Sequence, residues 1–223
     1  MKRIAALGLL LVAAGGLLVG SARTAPKPSE VASSWQLDID FQAPRAIAVS
    51  LPGREKPQLF WYVLYTVTNN TNDEQVFVPN FVLYTDTGEI LQGGKSVPAS
   101  VFDAIKARHK LSLLKDMTSI TGHILRGDDN AKDGVGIWPD FDPNSGQFDI
   151  FVGGLSGETA EVSLPEGKTI QATEIDGFGK EQVVSKNKMI VSKTLRLHYA
   201  VPGEASARLN ANVKLIEKEW VMR

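Results

Sequence analysis

The densest run of potential ligands is residues 140–146, DFDPNSG. Asp140, Asp142 and Asn144 offer oxygens at alternate positions, the arrangement from which a hard cation such as Ca²⁺ draws its ligands in one tight loop. Two features depart from the D-x-[DN]-x-[DN]-G pattern. The glycine comes one residue late, at Gly146, and the twelfth position is Phe151 where a bidentate Glu would sit. Pro143 stiffens the loop, and a plain turn rich in Asp, Pro, Asn and Gly accounts for the same residues. Asp140, Asp142 and Asn144 are therefore a calcium candidate, to which the acidic loop DDNAKD contributes only if it folds nearby. No other cofactor is expected.

The remaining chemistry is sparse. Gly154-Leu155-Ser156-Gly157 lacks the second glycine of a G-x-S-x-G elbow at the required offset, so a flexible turn is the simpler reading. Two S-x-x-K matches, Ser112 to Lys115 and Ser185 to Lys188, fall where chance supplies them, the second in a polar SKNK loop. His109, His123 and His198 have no second ligand at helical or strand spacing. His198 shares the polar parity of its strand with Arg196, which suits a solvated imidazole. Arg126-Gly127-Asp128 is too short a match to signify adhesion, and Asn69-Asn70-Thr71 closes a strand as a turn. None of these constellations is expected to be catalytic.

The N-terminus decides the compartment. Lys2 and Arg3 precede an apolar run from Ile4 to Val19, and Gly20-Ser21-Ala22 supplies the small residues that signal peptidase reads. That run is about 16 residues, short of the roughly 20 that span a bilayer. The expectation is a signal peptide over residues 1–22, export to the periplasm or the medium, and no stable membrane insertion after cleavage. The chain contains no Cys, which removes a lipobox, disulfides and thiolate chemistry. Losing Lys2 and Arg3 from 24 basic residues leaves 22 against 25 acidic ones, a net of −3. That balance lacks the basic footprint that nucleic-acid binding needs.

The elements follow from periodicity. Residues 23–34 (RTAPKPSEVASS) predict a flexible leader, and residues 35–223 a single domain. In WQLDIDF (35–41) strict alternation predicts a half-buried strand, and RAIAVS between Pro44 and Pro52 suits an edge. In LFWYVLYTVT (59–68) both parities are apolar, so something must cover the second face. A helical insertion over about residues 97–116 is the candidate cover. Ser100 and Asp103 would form its capping box, and Phe102 or Ile105 would touch Phe60, Tyr62 or Leu64. Further strands are expected at QVFV, NFVLYT, EIL, VGIW, QFDIFV, EVSLP, KTLRLHYAV and NVKLIEKEWVM, with a bulge near Leu215-Ile216 where the parity slips. Residues 122–134 are expected to be a polar loop. This pattern of short strands, turns and one helical interruption predicts an all-β, antiparallel sandwich.

Three passages carry a resemblance: YVLYTVTNNT (62–71), PNFVLYTDTGEIL (79–91) and ILRGDDNAKDGVGIWP (124–139). Together they resemble the immunoglobulin-like modules of uncharacterised secreted bacterial proteins, over about half of the mature chain. The resemblance implies an immunoglobulin-like antiparallel β-sandwich with a short helical insertion. The functional expectation is an exported, non-catalytic binding or structural protein of the cell envelope. Its partner would be another protein or envelope component, met through residues 122–134 or the helical insert. The alternative is a hydrolase or carbohydrate-active accessory protein using the acidic loop at Asp140 and Asp142.

Overall fold

The computed structural model describes residues 26–175, 179–201 and 205–223. The expected signal peptide lies outside the described residues.

Two short strands, β1 (Asp38–Phe41) and β2 (Arg45–Val49), lie end to end along the long β3 (Gln58–Thr68), broken at Pro44 where no backbone donor exists. Then come β4 (Gln75–Phe77), β5 (Asn80–Thr85) and β6 (Ile90–Gln92), the last two a hairpin turned at Gly88. Helices α1 (Ala99–His109) and α2 (Met117–Ile120) follow, then β7 (Gly122–Ile124) and β8 (Lys132–Pro139). The C-terminal part adds β9 (Gln147–Gly153), β10 (Thr159–Ser163), β11 (Ile170–Ile175), β12 (Glu181–Lys186), β13 (Lys188–Ala200) and β14 (Lys214–Met222).

Two antiparallel sheets make the body. In the first, β3 lies between the β1/β2 edge and β8. In the second the order is β14, β13, β9, β5, β6, with β10 continuing the line of β9 along β13. Their facing residues form one core, with Trp61, Val63, Tyr65 and Trp138 meeting Phe81, Phe148, Ile150 and Leu197. The fold is all-β and sandwich-like. Gly134 stands in β8 because a Cβ there would lie 2.4 Å from the buried Tyr65 ring.

The second face of β3 is covered as its sequence requires. Phe60, Tyr62 and Leu64 turn away from the main core and pack with Val101, Ile105 and Leu114, with Phe102 at the margin. The cover is shorter than expected, because α1 stops at His109 and Lys110 takes a left-handed cap at φ 55°. The expected capping box is absent. Pro98 occupies the N-cap with no side-chain bond, which puts Ser100 inside the first turn, too late to cap it. A real side-chain cap occurs at α2, where Asp116 accepts from the Ser119 N–H at 2.6 Å.

The expected bulge is present: His198 pairs with Glu217 and Tyr199 with Leu215, leaving Ile216 as the extra residue. Three strands were not legible as such. Among the described residues β11 and β12 pair with each other alone, and part of the expected polar loop is β7, which pairs with β4. The leader is also anchored. The Ser29 N–H donates to Glu158 Oε1 at 2.7 Å, and Lys193 Nζ donates to the Ser29 carbonyl at 3.3 Å.

Candidate functional site

The 140–146 loop is organised around a cation, but that cation belongs to the chain. Arg208 lies in a 3₁₀ turn (Ala205–Asn210) and is only 4% exposed. Its guanidinium donates to the carbonyls of Phe141 (2.8 Å), Asp142 (2.6 Å) and Ser145 (2.9 Å), and stacks on the Phe141 ring at 4.6 Å. Asp140 Oδ1 lies 3.4 Å from it and accepts the Trp61 indole N–H at 2.8 Å. Asp142 Oδ1 instead accepts from the Asn144 backbone and side-chain amides, at 2.8 and 3.0 Å. Asp140 is therefore turned to Trp61 and Arg208, while Asp142 and Asn144 bond each other.

A guanidinium suits this cradle physically: it supplies several donors in a fixed plane to several carbonyls. A divalent ion 4 Å from that guanidinium would meet repulsion of about 8 kcal/mol at an effective dielectric of 20. The loop is further pinned by Asp86, whose Oδ2 accepts the Gly146 and Gln147 amides, each at 3.1 Å. Burial pushes the Asp86 carboxyl up, but hydrogen bonds from Ser145, Gly146 and Gln147 outweigh it and hold it below its ordinary value. Among the described residues, no group of three or more His, Cys, Asp or Glu side chains is placed to hold a metal.

The histidines stand apart. His198 shares the polar face as its parity implied, but it is not merely solvated, since its Nδ1 lies 2.7 Å from Asp149 Oδ1. Arg196 grips the same carboxylate at 3.0 and 3.2 Å and Glu219 at 2.6 Å. This network crosses β9, β13 and β14 on the outer face of the second sheet. There it adjoins Tyr84 and Phe151, over which Arg223 stacks at 4.6 and 4.3 Å. His123 pairs with Glu74 at 2.8 Å on the β4–β7 ribbon. His109 Nε2 meets the Tyr62 hydroxyl at 2.8 Å beneath α1.

The serine motifs are structural. Ser156 Oγ donates to the Trp35 carbonyl at 3.1 Å and accepts the Glu158 N–H at 3.2 Å. Gly154 has φ +85°, and a Cβ there would stand 2.1 Å from the Val78 carbonyl oxygen, so this turn needs glycine for fit. Ser185 accepts from Gln171, and Lys188 pairs with Glu161.

Sequence reasoning missed three elements that the structure brings forward. The first is Arg208, which sits in irregular backbone with no periodic signal. The second is the Glu158–Lys193 pair, at 3.1 Å and nearly buried beside Trp220. Lys193 has the inward parity of Leu195, Leu197 and Tyr199, and a lysine on a core parity is a sign of a buried partner. A groove of about 890 Å³ opens beside this pair, between Pro26, Pro28 and Ala32 on one side and Trp220 to Met222 on the other. The third is the β11–β12 ribbon. Among the described residues no further strand pairs with it, and Ile175 (71% exposed) and Val183 (68%) lie on one of its faces.

Comparison with protein-family models, curated proteins and solved structures returns no match for this chain.

Proposed function

We propose that this chain is an exported, non-catalytic binding or structural protein of the cell envelope, built on an immunoglobulin-like sandwich and acting through contact with another envelope protein. The β11–β12 ribbon carries the reading. A two-stranded ribbon is marginal in water by itself, and this one exposes Ile175 and Val183 on one face, with Ile190 73% exposed at its base. Open strand edges bearing apolar side chains are pairing surfaces for another chain.

The hydrolase alternative rests on Asp140 and Asp142. Convergence of their carboxylates in one concavity would favour it, but the first faces Trp61 and Arg208 and the second closes its own turn.

In-cell photo-crosslinking tests the reading. A crosslinker at Val183 is expected to give one discrete adduct, lost with Ile175→Ser and absent from an exposed control position, Glu55. No adduct at Val183, or the same adducts from both positions, would overturn it. For the loop, melting in EDTA and in excess Ca²⁺ should give the same Tm. A rise of several degrees with Ca²⁺, abolished by Asp142→Ala, would restore the metal and the hydrolase readings together.

A further inference from the structure

The helical cover carries a second kind of surface. The last five residues of the α1 region are Lys106-Ala107-Arg108-His109-Lys110, and the only acid in the helix is Asp103. Arg45 stands directly across from Tyr62 in the β2–β3 register, so its side chain emerges on the face that α1 covers. Arg108 reaches down to the same strand and donates from Nη1 to the Ala46 carbonyl at 3.2 Å. Tyr62 and His109 lie where these two residues meet, hydrogen-bonded at 2.8 Å with their rings edge to face.

The two guanidiniums offer donors alone, of which Arg108 gives one to the Ala46 carbonyl. Burial raises the Tyr62 hydroxyl above its usual range, with the charges of Arg108 and Arg45 and a hydrogen bond from the Arg45 side chain opposing it more weakly, so it stays protonated at neutral pH. Its nearest acceptor is His109 Nε2, and a buried phenol without an acceptor would lose a hydrogen bond's worth of stability. The imidazole is therefore neutral, accepts at Nε2 and carries its proton on Nδ1. Burial, then Arg45 and Arg108, lower the His109 pKa, in keeping with that assignment. None of the ion pairs among the described residues involves Arg45 or Arg108. Lys106, by contrast, is turned to the Leu114 carbonyl and the Phe102 ring, and Asp103 borders Lys106 and Lys110.

We infer that Arg45, Arg108 and His109 form a binding site for a phosphate group. Two guanidiniums and an imidazole N–H offer more donors than a carboxylate has lone pairs to fill, and they match the three oxygens of a phosphate. Such a group can come from a phospholipid headgroup or from free phosphate or a small phosphomonoester.

Inorganic phosphate titrated into the protein, followed by NMR of the His109 imidazole, tests the site. Saturable shifts at millimolar phosphate are expected, with a rise in the His109 pKa as the bound anion offsets the two arginines. Arg45→Gln should weaken the response roughly tenfold with at most a small fall in Tm, because that side chain is exposed and its loss removes one hydrogen bond to the Tyr62 hydroxyl. Arg45→Gln/Arg108→Gln should abolish it. A second arm uses vesicles of phosphatidylcholine with or without phosphatidylglycerol. Vesicle binding that needs the anionic lipid and is lost in the double variant assigns the headgroup, while a phosphate response without vesicle binding assigns the small ligand. Resonances unmoved by phosphate, shifts retained in the double variant, or vesicle binding indifferent to it would each overturn the site.

Discussion

The two outer faces of the sandwich solve the same exposure problem in opposite ways. The first sheet turns Phe60, Tyr62 and Leu64 outward and needs a helix over them. The second turns Asp149, Arg196, His198 and Glu219 outward and closes its face with ion pairs and the Arg223–Tyr84–Phe151 stack, leaving no need of a helix. The roofed face is held by apolar burial, at about 25 cal/mol per Å² removed from water. The charged face is held by partly exposed pairs that contribute little each. The difference shows that the covering helix is a consequence of the composition of β3, since the second sheet of the same sandwich does without one.

The largest break in that comparison should come from the roof. Ile105 is fully buried between α1 and β3, and Ile105→Ala should cost about 3 kcal/mol in urea unfolding. Phe151→Ala on the charged face should cost about 1 kcal/mol, because that ring is only half-buried. Equal losses would mean that the two faces are not held differently.

Polar groups should become as costly as apolar ones wherever they are as deeply buried. Arg208→Met leaves three carbonyls without their donor and should cost about 2–3 kcal/mol, read as a fall in Tm. A change within error would make the cradle dispensable. Glu158 gives a pH test. The Ser29 N–H bond, aided by Lys193 against the opposing effect of burial, holds its carboxyl below the ordinary value. Its contribution is therefore complete above the unfolded-state value of about 4.3 and is lost as pH falls through the lower folded value. Wild type should lose Tm between about pH 5 and 3 more steeply than Glu158→Gln, and parallel curves would remove the anchor on Ser29. Arg196→Ala should have the smallest effect, below about 1 kcal/mol and shrinking further in salt.

How much was legible depended on whether the information was periodic. Two-sided apolarity in residues 59–68 announced both a central strand and a cover, and Phe102 and Ile105 were named on the right side of it. The parity slip near Leu215-Ile216 pointed to the bulge, which the structure places at Ile216. The capping box failed because Pro98 starts the helix without a side-chain cap, which leaves Ser100 inside the first turn. At the 140–146 loop the side-chain oxygens suggested a calcium site or a plain turn, whereas the structure holds the loop by its backbone carbonyls on a guanidinium. The cation itself sits more than sixty residues away, at Arg208, and no local pattern points to it.

The sequence by itself determined the strand-rich class, the inner and outer faces of its main strands and the need for one covering element, because alternation and apolar runs act over neighbouring residues. Only the tertiary structure decided which charges meet: Arg208 with the 140–146 carbonyls, His198 with Asp149, Glu158 with Lys193, and Arg45 with Arg108 around Tyr62. Those meetings are set by strand register and by a helix crossing a sheet. Both join residues distant in sequence, and neither leaves a local trace in the chain.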